Sequence, residues 1–220
     1  MSIISKTLPI KQIFEKMLNM PYYKNYAAES GAVHNINNHE NAITDLLIIN
    51  GYKKFFYTQK KLTAEKRKAF IEAVPPGSFI EQPYGTHNAP DFIIITPKGR
   101  KIMLEAKSST STPYPLFNSG GIKHGYYYVF SCKKYNKTTI FRGEDITTFE
   151  QNRLIQEYIE KRRKEDMEFN ERLKQHDQHN RGVSFYTRPM INQCGGSEKV
   201  DYFKHENREK IEHLVLESLT

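Results

Sequence analysis

The sequence predicts an α/β fold of the α+β kind, with a central mixed β-sheet of about four to six strands flanked by helices. Helical periodicity dominates both ends of the chain, whereas the middle holds runs of apolar, β-branched and aromatic residues. Apolar residues occupy 38% of the 220 positions, which is enough to build a core. A chain of this length usually forms one domain, so we expect a single domain over residues 1–220.

Three helices are predicted ahead of the strands. The first covers residues 9–20, the second runs from about Glu40 to a stop at Gly51, and the third covers residues 63–73. A Pro-Pro-Gly run follows the third helix and is a typical helix-ending signal. The apolar residues at helical spacing are Ile10, Ile13, Phe14, Met17 and Leu18 in the first helix, and Ile43, Leu46 and Leu47 in the second.

Four strands are predicted in the middle of the chain. Phe92–Thr96 and Ile102–Lys107 flank the turn sequence PKGR, so they form a hairpin. The aromatic run GYYYVFSC, which begins at Gly125, is the third strand. Lys137–Gly143 is the fourth, joined to the third by the polar turn KKYNK.

A long helix is predicted from Ile146 to about Asp177. In its first half Leu154, Ile155, Tyr158 and Ile159 are spaced to face a core. Its second half is mostly charged, so we expect that half to project from the domain or to contact a partner. A last helix is predicted near ENREKIEHLVLESL, close to the end of the chain.

The charge of the chain favours a polyanionic partner. The 33 Lys and Arg residues exceed the 25 Asp and Glu residues, which gives a formal charge of +8. Residues 1–145 carry 20 of the basic and 11 of the acidic side chains. We therefore expect a phosphate-binding surface to draw mainly on that part of the chain.

The remaining composition indicates a cytoplasmic protein. The chain has only two cysteines, Cys132 and Cys194, which is typical of a reducing compartment and argues against a structural zinc site. The first residues lack the apolar stretch of a signal peptide. No apolar run approaches the roughly 20 residues needed to span a bilayer.

Three charged residues lie at one end of the predicted hairpin, which is otherwise very apolar. In APDFIIITPKGRKIMLEAKSS, an aspartate precedes the first strand, and a glutamate and a lysine end the second. A turn at PKG pairs Asp91 with Glu105, and directly opposed side chains share a face with Cβ atoms about 4.5–5.5 Å apart. The strand period of two places Lys107 on the same face as Glu105 and Ala106 on the other.

This cluster predicts a metal site for phosphodiester hydrolysis. Two carboxylates this close repel each other unless a cation lies between them, and oxygen ligands suit Mg²⁺. We expect Asp91, Glu105 and the carbonyl of Ala106 to hold Mg²⁺, which activates a water. Lys107 would position that water or help to deprotonate it, and it would stabilise the transition state. The alternative is an ordinary surface ion pair with Asp91 as a turn cap, which does not explain why the charges end such apolar strands.

The segment PDFIIITPKGRKIMLEAK resembles the signature of the PD-(D/E)XK nuclease superfamily, with Pro90-Asp91, an apolar strand and then Glu105-Ala106-Lys107. The following SSTSTPYPLFNSGGIKHGYYYVFS is similar to type II restriction endonucleases, in which a serine-rich loop and an FN segment lead into the next strand. The resemblance covers residues 88–132. It implies a restriction-endonuclease-like sheet, Mg²⁺ as cofactor and DNA cleavage that leaves a 5′-phosphate. It also implies a further acidic residue from an earlier helix, for which Glu40 is the candidate.

DNA contacts are predicted outside this cluster. Asn and Gln pair with adenine and Arg and Lys prefer guanine, whereas contacts with phosphates set affinity rather than sequence preference. The loop after the catalytic strand and the segment NRGVSFYTRPMINQ are the candidate base-reading regions. The predicted DNA-binding residues are Asn118, Lys123 and His124 in the first region, Arg181, Arg188, Asn192 and Gln193 in the second, and Lys60, Lys61, Arg67 and Lys68 for phosphates.

Other motifs have structural interpretations. HNINNH, residues 34–39, superficially resembles a His-Asn-His nuclease motif, but a polar turn before the Glu40 helix fits better. GYYYVF fits a buried strand better than a GIY-YIG nuclease. KRRK, residues 161–164, could bind phosphates, although the interleaved acids fit a solvated helix face equally well. His176 and His179 fit exposed polar residues at a helix end.

The sequence therefore predicts a Mg²⁺-dependent type II restriction endonuclease that makes double-strand cuts at a short DNA sequence. A palindromic target matches twofold symmetry, so we expect a homodimer. On this interpretation residues of about 40–145 form the catalytic core, and residues 146–220 serve dimerisation or DNA contacts. The alternatives are a structure-specific or repair nuclease, and a non-catalytic DNA-binding protein with a nuclease-like fold. The intact set of Asp91, Glu105 and Lys107 argues against the last.

Overall fold

The structure is a computed structural model that describes residues 7–25, 38–56, 63–85, 88–118, 121–191, 193 and 200–220. The α-helices within these ranges are α1 (Ile10–Leu18), α2 (His39–Ile49), α3 (Ala64–Glu72), α4 (Phe149–Gln175) and α5 (Arg208–Ser218). The strands are β1 (Lys53–Lys54), β2 (Ser78–Glu81), β3 (Phe92–Ile95), β4 (Lys101–Ser109), β5 (Phe117–Asn118), β6 (Tyr127–Cys132), β7 (Lys137–Arg142) and β8 (Met190–Ile191).

Six of these strands form one mixed sheet in the order β1-β2-β3-β4-β6-β7. The pairs β1–β2 and β4–β6 are parallel, and the other neighbours are antiparallel. The short strands β5 and β8 form a separate antiparallel pair. The predicted fold class, a mixed sheet of four to six strands flanked by helices, is confirmed.

Helices cover both faces of the sheet. On one face α1, α2 and α5 supply part of a large apolar cluster, to which the sheet contributes residues such as Phe92, Leu104 and Val129. On the other face an aromatic cluster built around Tyr128 and Phe130 lies beside a smaller cluster of isoleucines near α3. Burying each such side chain contributes about 1.5–3 kcal/mol. The predicted core range of residues 40–145 thus packs against helices from both ends of the chain.

The β3–β4 hairpin has the predicted register. Its turn closes with Thr96 N donating to Arg100 O at 2.9 Å, and Gly99 takes φ 81°, which glycine adopts without steric cost. Phe92 consequently pairs with Leu104, and Ile95 pairs with Lys101. A side-chain period of two then separates Ala106, which joins the large apolar cluster, from Glu105. The hairpin fixes which residues meet at its open end.

The long helix α4 differs in part from its prediction. Ile159 is buried as expected, but Leu154 is 53% exposed and Tyr158 is 63% exposed, so the expectation that both face a core is wrong. The helical spacing of these residues is correct, but no other element of the described chain covers them. Among the helices in the described ranges, none is both long and apolar enough to cross a membrane.

Gly143 is the point where the end of β7 passes closest to the turn before β6. Its backbone N donates to Tyr126 O at 3.2 Å. A Cβ atom at Gly143 would lie 2.1 Å from the carbonyl oxygen of Lys123 and 2.6 Å from its carbonyl carbon. These neighbours are backbone atoms, so they cannot move aside as a side chain would. Only glycine fits here without displacing the turn.

We expect Gly143→Ala to lower the free energy of unfolding by about 1–3 kcal/mol, because overpacking a rigid contact has costs of that order. Urea unfolding followed by circular dichroism measures the change. Lys137 is exposed at the start of β7, the strand that leads to Gly143, and supplies the control. Lys137→Ala should change stability by less than about 0.5 kcal/mol. Equal stabilities of Gly143→Ala and the native chain would contradict the close approach.

Candidate active site

The open end of the β3–β4 hairpin joins an acidic side chain to the neighbouring backbone. The last ladder pair is Phe92 with Leu104, so one further step places Asp91 opposite Glu105, as the sequence predicts. Asp91 Oδ2 accepts a hydrogen bond of 2.8 Å from the backbone N of Ala106. Asp91 comes just before β3 in the chain, and its carboxylate therefore takes the hydrogen bond that a further strand residue would make with β4.

The lysine and the glutamate of β4 form an ion pair beside Asp91. Lys107 Nζ lies 2.7 Å from Glu105 Oε1, and the two side chains are only 17% and 11% exposed. The other oxygen of the glutamate, Glu105 Oε2, is buried and has no hydrogen-bond partner. A buried carboxylate oxygen without a partner is costly, so it marks a position where a ligand would be favourable.

The acids of this cluster act on one another. Burial, and after it the charge of Glu105, raise the pKa of Asp91 to about 7. The Ala106 hydrogen bond and the charge of Lys107 oppose this shift, whereas the charge of Glu40 adds to it. A divalent cation between the carboxylates would favour their charged forms. Without such a cation, burial and the neighbouring acids favour the protonated form of Asp91.

The predicted third acid lies at the first turn of α2. Asn38 caps this helix by accepting a hydrogen bond of 2.8 Å from Asn41 N. Glu40 is partly exposed, and its charge contributes to the raised pKa of Asp91. The N-terminus of α2 is thus close enough to the hairpin for the charge of Glu40 to act on Asp91.

His39 is a buried residue of this region that the sequence analysis missed. Its side chain is 2% exposed and stacks on Tyr23, with ring centroids 5.6 Å apart. Neither ring nitrogen meets a hydrogen-bond partner of good geometry, and burial lowers its pKa to about 4, opposed by the nearby backbone of Lys107. The sequence does not indicate this burial, because nothing in the polar run HNINNH distinguishes a histidine that is buried from one in an exposed turn.

The residues present fit a hard divalent cation. Glu105 Oε2 lacks a partner, and Asp91 uses only Oδ2 towards Ala106. The N–H and C=O of one strand residue point to the same side, so the Ala106 carbonyl is expected to face Asp91 as well. The described residues contain no group of three or more His, Cys, Asp and Glu side chains that could hold a metal. Two carboxylates and a carbonyl are a donor set that suits an ion that keeps several waters, as Mg²⁺ does.

Two of the predicted DNA-contacting residues are bonded within the protein. Lys123 Nζ donates to Gln156 Oε1 of α4 at 3.0 Å. His124 Nε2 lies 3.0 Å from the carbonyl oxygen of Thr147, just before α4. Both side chains are therefore held against α4 and the residues leading into it. Their contacts with bases stay predictions.

The other predicted DNA-contacting residues are spread over the chain. Asn118 lies in β5 and pairs with Met190, and Gln193 exchanges hydrogen bonds of 2.8 and 3.1 Å with the hydroxyl of Tyr202. Arg181 and Arg188 are exposed in the segment after α4. Arg67 and Lys68 lie on α3. Lys60, Lys61 and Asn192 fall outside the described residues.

We expect His39 to make stability depend on pH. Its pKa is lower in the folded chain than the ordinary value of 6.5, so the unfolded chain binds a proton first as pH falls. Stability should be fully present above about pH 6.5 and fall by about 3 kcal/mol on acidification to pH 4. The measurement is urea unfolding at several pH values, with His39→Leu expected to remove this component.

Other groups also titrate in this range, so the difference between the native chain and each variant is the informative quantity. His213 supplies the control, because its side chain is 70% exposed on α5. His213→Gln should keep the native pH dependence. A native pH dependence in His39→Leu would show that the buried imidazole does not resist protonation.

Comparison of the chain with family models, curated proteins and solved structures finds no match. The functional conclusion therefore depends on the chemistry of the cluster at the end of the hairpin.

Proposed function

We propose that the chain is a Mg²⁺-dependent type II restriction endonuclease that hydrolyses phosphodiester bonds in both strands of a short DNA sequence. One observation supports this most strongly. Asp91, Glu105 and Lys107 meet at the end of an apolar hairpin, and one buried carboxylate oxygen there has no partner. An apolar sheet end that gathers charges at this cost is better explained by catalysis than by stability.

Each member of the cluster has a role in this proposal. Asp91, Glu105 and the Ala106 carbonyl would hold Mg²⁺, which supplies a Lewis acid that neutralises charge at the scissile phosphate. Lys107 orients the attacking water and donates to the oxygen on which negative charge develops. The water oxygen bonds to phosphorus and gives up a proton to solvent, while the bond from phosphorus to O3′ breaks and O3′ takes up a proton, which leaves a 3′-hydroxyl and a 5′-phosphate. Glu40 adds negative charge to the surroundings of this site.

The proposed enzyme is a cytoplasmic homodimer. Two copies of the site related by a twofold axis match the two strands of a palindromic sequence. Large apolar side chains on α4, including Tyr158 and Met167, are exposed in the single chain and would be covered in a dimer. The buried thiol of Cys132 is not in a disulfide, which suits a reducing cytoplasm.

We expect the purified chain to cut phage DNA into discrete bands when Mg²⁺ is present. Chelation with EDTA should abolish cutting and added Mg²⁺ should restore it, because the carboxylates alone repel the phosphate. Agarose electrophoresis of linear DNA gives the result.

The outcomes of this digestion separate the alternatives. A smear would support a repair nuclease that ignores sequence, and it would overturn the proposed restriction activity. Failure to cut with both Mg²⁺ and Mn²⁺, combined with DNA binding, would support a non-catalytic DNA-binding protein.

We expect Asp91→Asn and Lys107→Ala each to reduce cleavage by about 10²–10⁴-fold, because each removes a charge used in the transition state. Asparagine keeps an oxygen that can accept from Ala106 N, so the hairpin end should stay closed in Asp91→Asn. Single-turnover cleavage measures the rate, and binding of labelled DNA should be largely retained.

The turn of the same hairpin supplies a matched control. Lys98 is exposed there, at the end opposite to the cluster, so Lys98→Ala removes a lysine without touching the site. It should cleave at the native rate. Native cleavage by Lys107→Ala, or loss of cleavage in Lys98→Ala, would contradict the assigned role.

A further inference from the structure

A groove lies between α4 and the segment that follows it, and we call residues 183–189 the return segment. The groove has a volume of about 350 Å³. Its wall on α4 has the spacing of one helix face, and its other wall is the return segment. The residues that line it are Ile159, Arg162, Arg163 and Asp166 from α4, and Tyr186, Thr187, Arg188 and Pro189 from the return segment.

Hydrogen bonds hold the return segment along α4. The amide of Asn170 both donates to the carbonyl of Phe185 and accepts from its N–H, each at 2.7 Å. One helical turn earlier, Asp166 accepts from Thr187 N at 2.7 Å and from Thr187 Oγ1 at 2.6 Å. These hydrogen bonds fix the position of the return segment relative to α4, and so they define both walls of the groove.

Basic side chains outnumber acidic ones among the residues that line this groove. Three arginines line it together with one acid, Asp166, whose two oxygens both accept hydrogen bonds from Thr187. Arg162 has a close ionic partner in Glu165, and Arg163 lies 3.7 Å from Glu160, but neither glutamate is among the residues that line the groove. Arg163 is 61% exposed and Arg162 39%, so Arg163 is the more accessible arginine of the helix wall, and Arg188 lines the other wall.

A further cation, Lys123, lies between this groove and the candidate active site. Its Nζ donates to Gln156 Oε1 of α4 at 3.0 Å, and the charge of Arg163 contributes, after burial, to lowering its pKa. The backbone N of Lys123 donates to the hydroxyl of Tyr128 at 2.8 Å, and Tyr128 is the partner of Glu105 in the pairing of β4 with β6. These contacts link the hairpin cluster to the basic groove. Like charges gathered this way are favoured when an anion binds between them.

We infer that this groove binds a phosphodiester of the DNA backbone next to the scissile site, held by Arg163 and Arg188. Planar guanidinium groups bind phosphate oxygens in pairs, and arginines line both walls of this groove of about 350 Å³. The inference rests on the proposed function for the identity of the polyanion. The groove would set affinity and the register of the strand, and the hairpin cluster would perform the cleavage.

The test is the salt dependence of DNA binding, measured by fluorescence anisotropy with a labelled duplex in EDTA so that no cleavage occurs. The double variant Arg163→Gln/Arg188→Gln should lower the slope of log K against log salt by about 0.9, since the two arginines hold one phosphate and each phosphate contact contributes about 0.9. Binding at moderate salt should weaken by about tenfold or more.

The control removes the same charge from another face of the same helix. Arg153 and Arg172 lie on the opposite side of α4 from the groove in helical projection. Arg153→Gln/Arg172→Gln should keep the native slope, and thermal melting of both double variants verifies that they fold. A native slope in the groove variant, or an equal loss in both variants, would overturn the inference.

These results are distinct from those of the digestion. If the native chain cuts DNA into bands and the groove variant keeps the native salt dependence, the groove inference alone is overturned. If the native chain never cuts but the groove variant has a smaller salt dependence, the proposed nuclease is overturned and the groove inference is supported. A native chain that binds DNA neither in EDTA nor with Mg²⁺ present would overturn both proposals.

Discussion

An excess of negative charge at the end of an apolar hairpin is the constraint on which the rest of the structure depends. Asp91 and Glu105 face each other across the last step of the hairpin. The charge of Glu40 on α2 adds to the raised pKa of Asp91, and Lys107 opposes this shift while it pairs with Glu105. Burial strengthens the repulsion, because the protein screens charges less than water does. Such a pocket would repel a DNA phosphate until a cation bound. Metal binding and substrate binding would then be coupled.

The sheet creates this pocket where one ladder stops and another continues. The pairing of β3 with β4 stops at Phe92 and Leu104, whereas the pairing of β4 with β6 continues to Ser109. On the open side the N–H of Ala106 would lack a strand partner, and the carboxylate of Asp91 takes that place. The same side of β4 then offers a carboxylate and backbone groups together. On its other side β4 is paired with β6 from Leu104 to Ser109, so the residues of the cluster lie on a strand with a partner.

The parts of the fold that follow from local periodicity could be predicted from the sequence. The turn at Gly99 and the strand period of two were enough to oppose Asp91 and Glu105. The short strands β1 and β2 were not predicted, because runs this brief are stabilised by their neighbours in the sheet rather than by their own pattern. Tyr158 has the spacing of a buried residue, but spacing cannot show whether another element covers it. His39 was missed because its burial depends on distant elements.

Charge illustrates the same limit in another form. Residues 146–220 hold 13 basic and 14 acidic side chains, so a count by segment predicts no phosphate-binding surface there. Yet Arg163 and Arg188 line one groove together, and the acid of that groove, Asp166, accepts hydrogen bonds from Thr187. An anion responds to the charges within about one Debye length, near 10 Å, and not to the sum over a segment. A nearly neutral stretch of chain can therefore present a basic surface when folding sorts its charges onto different faces.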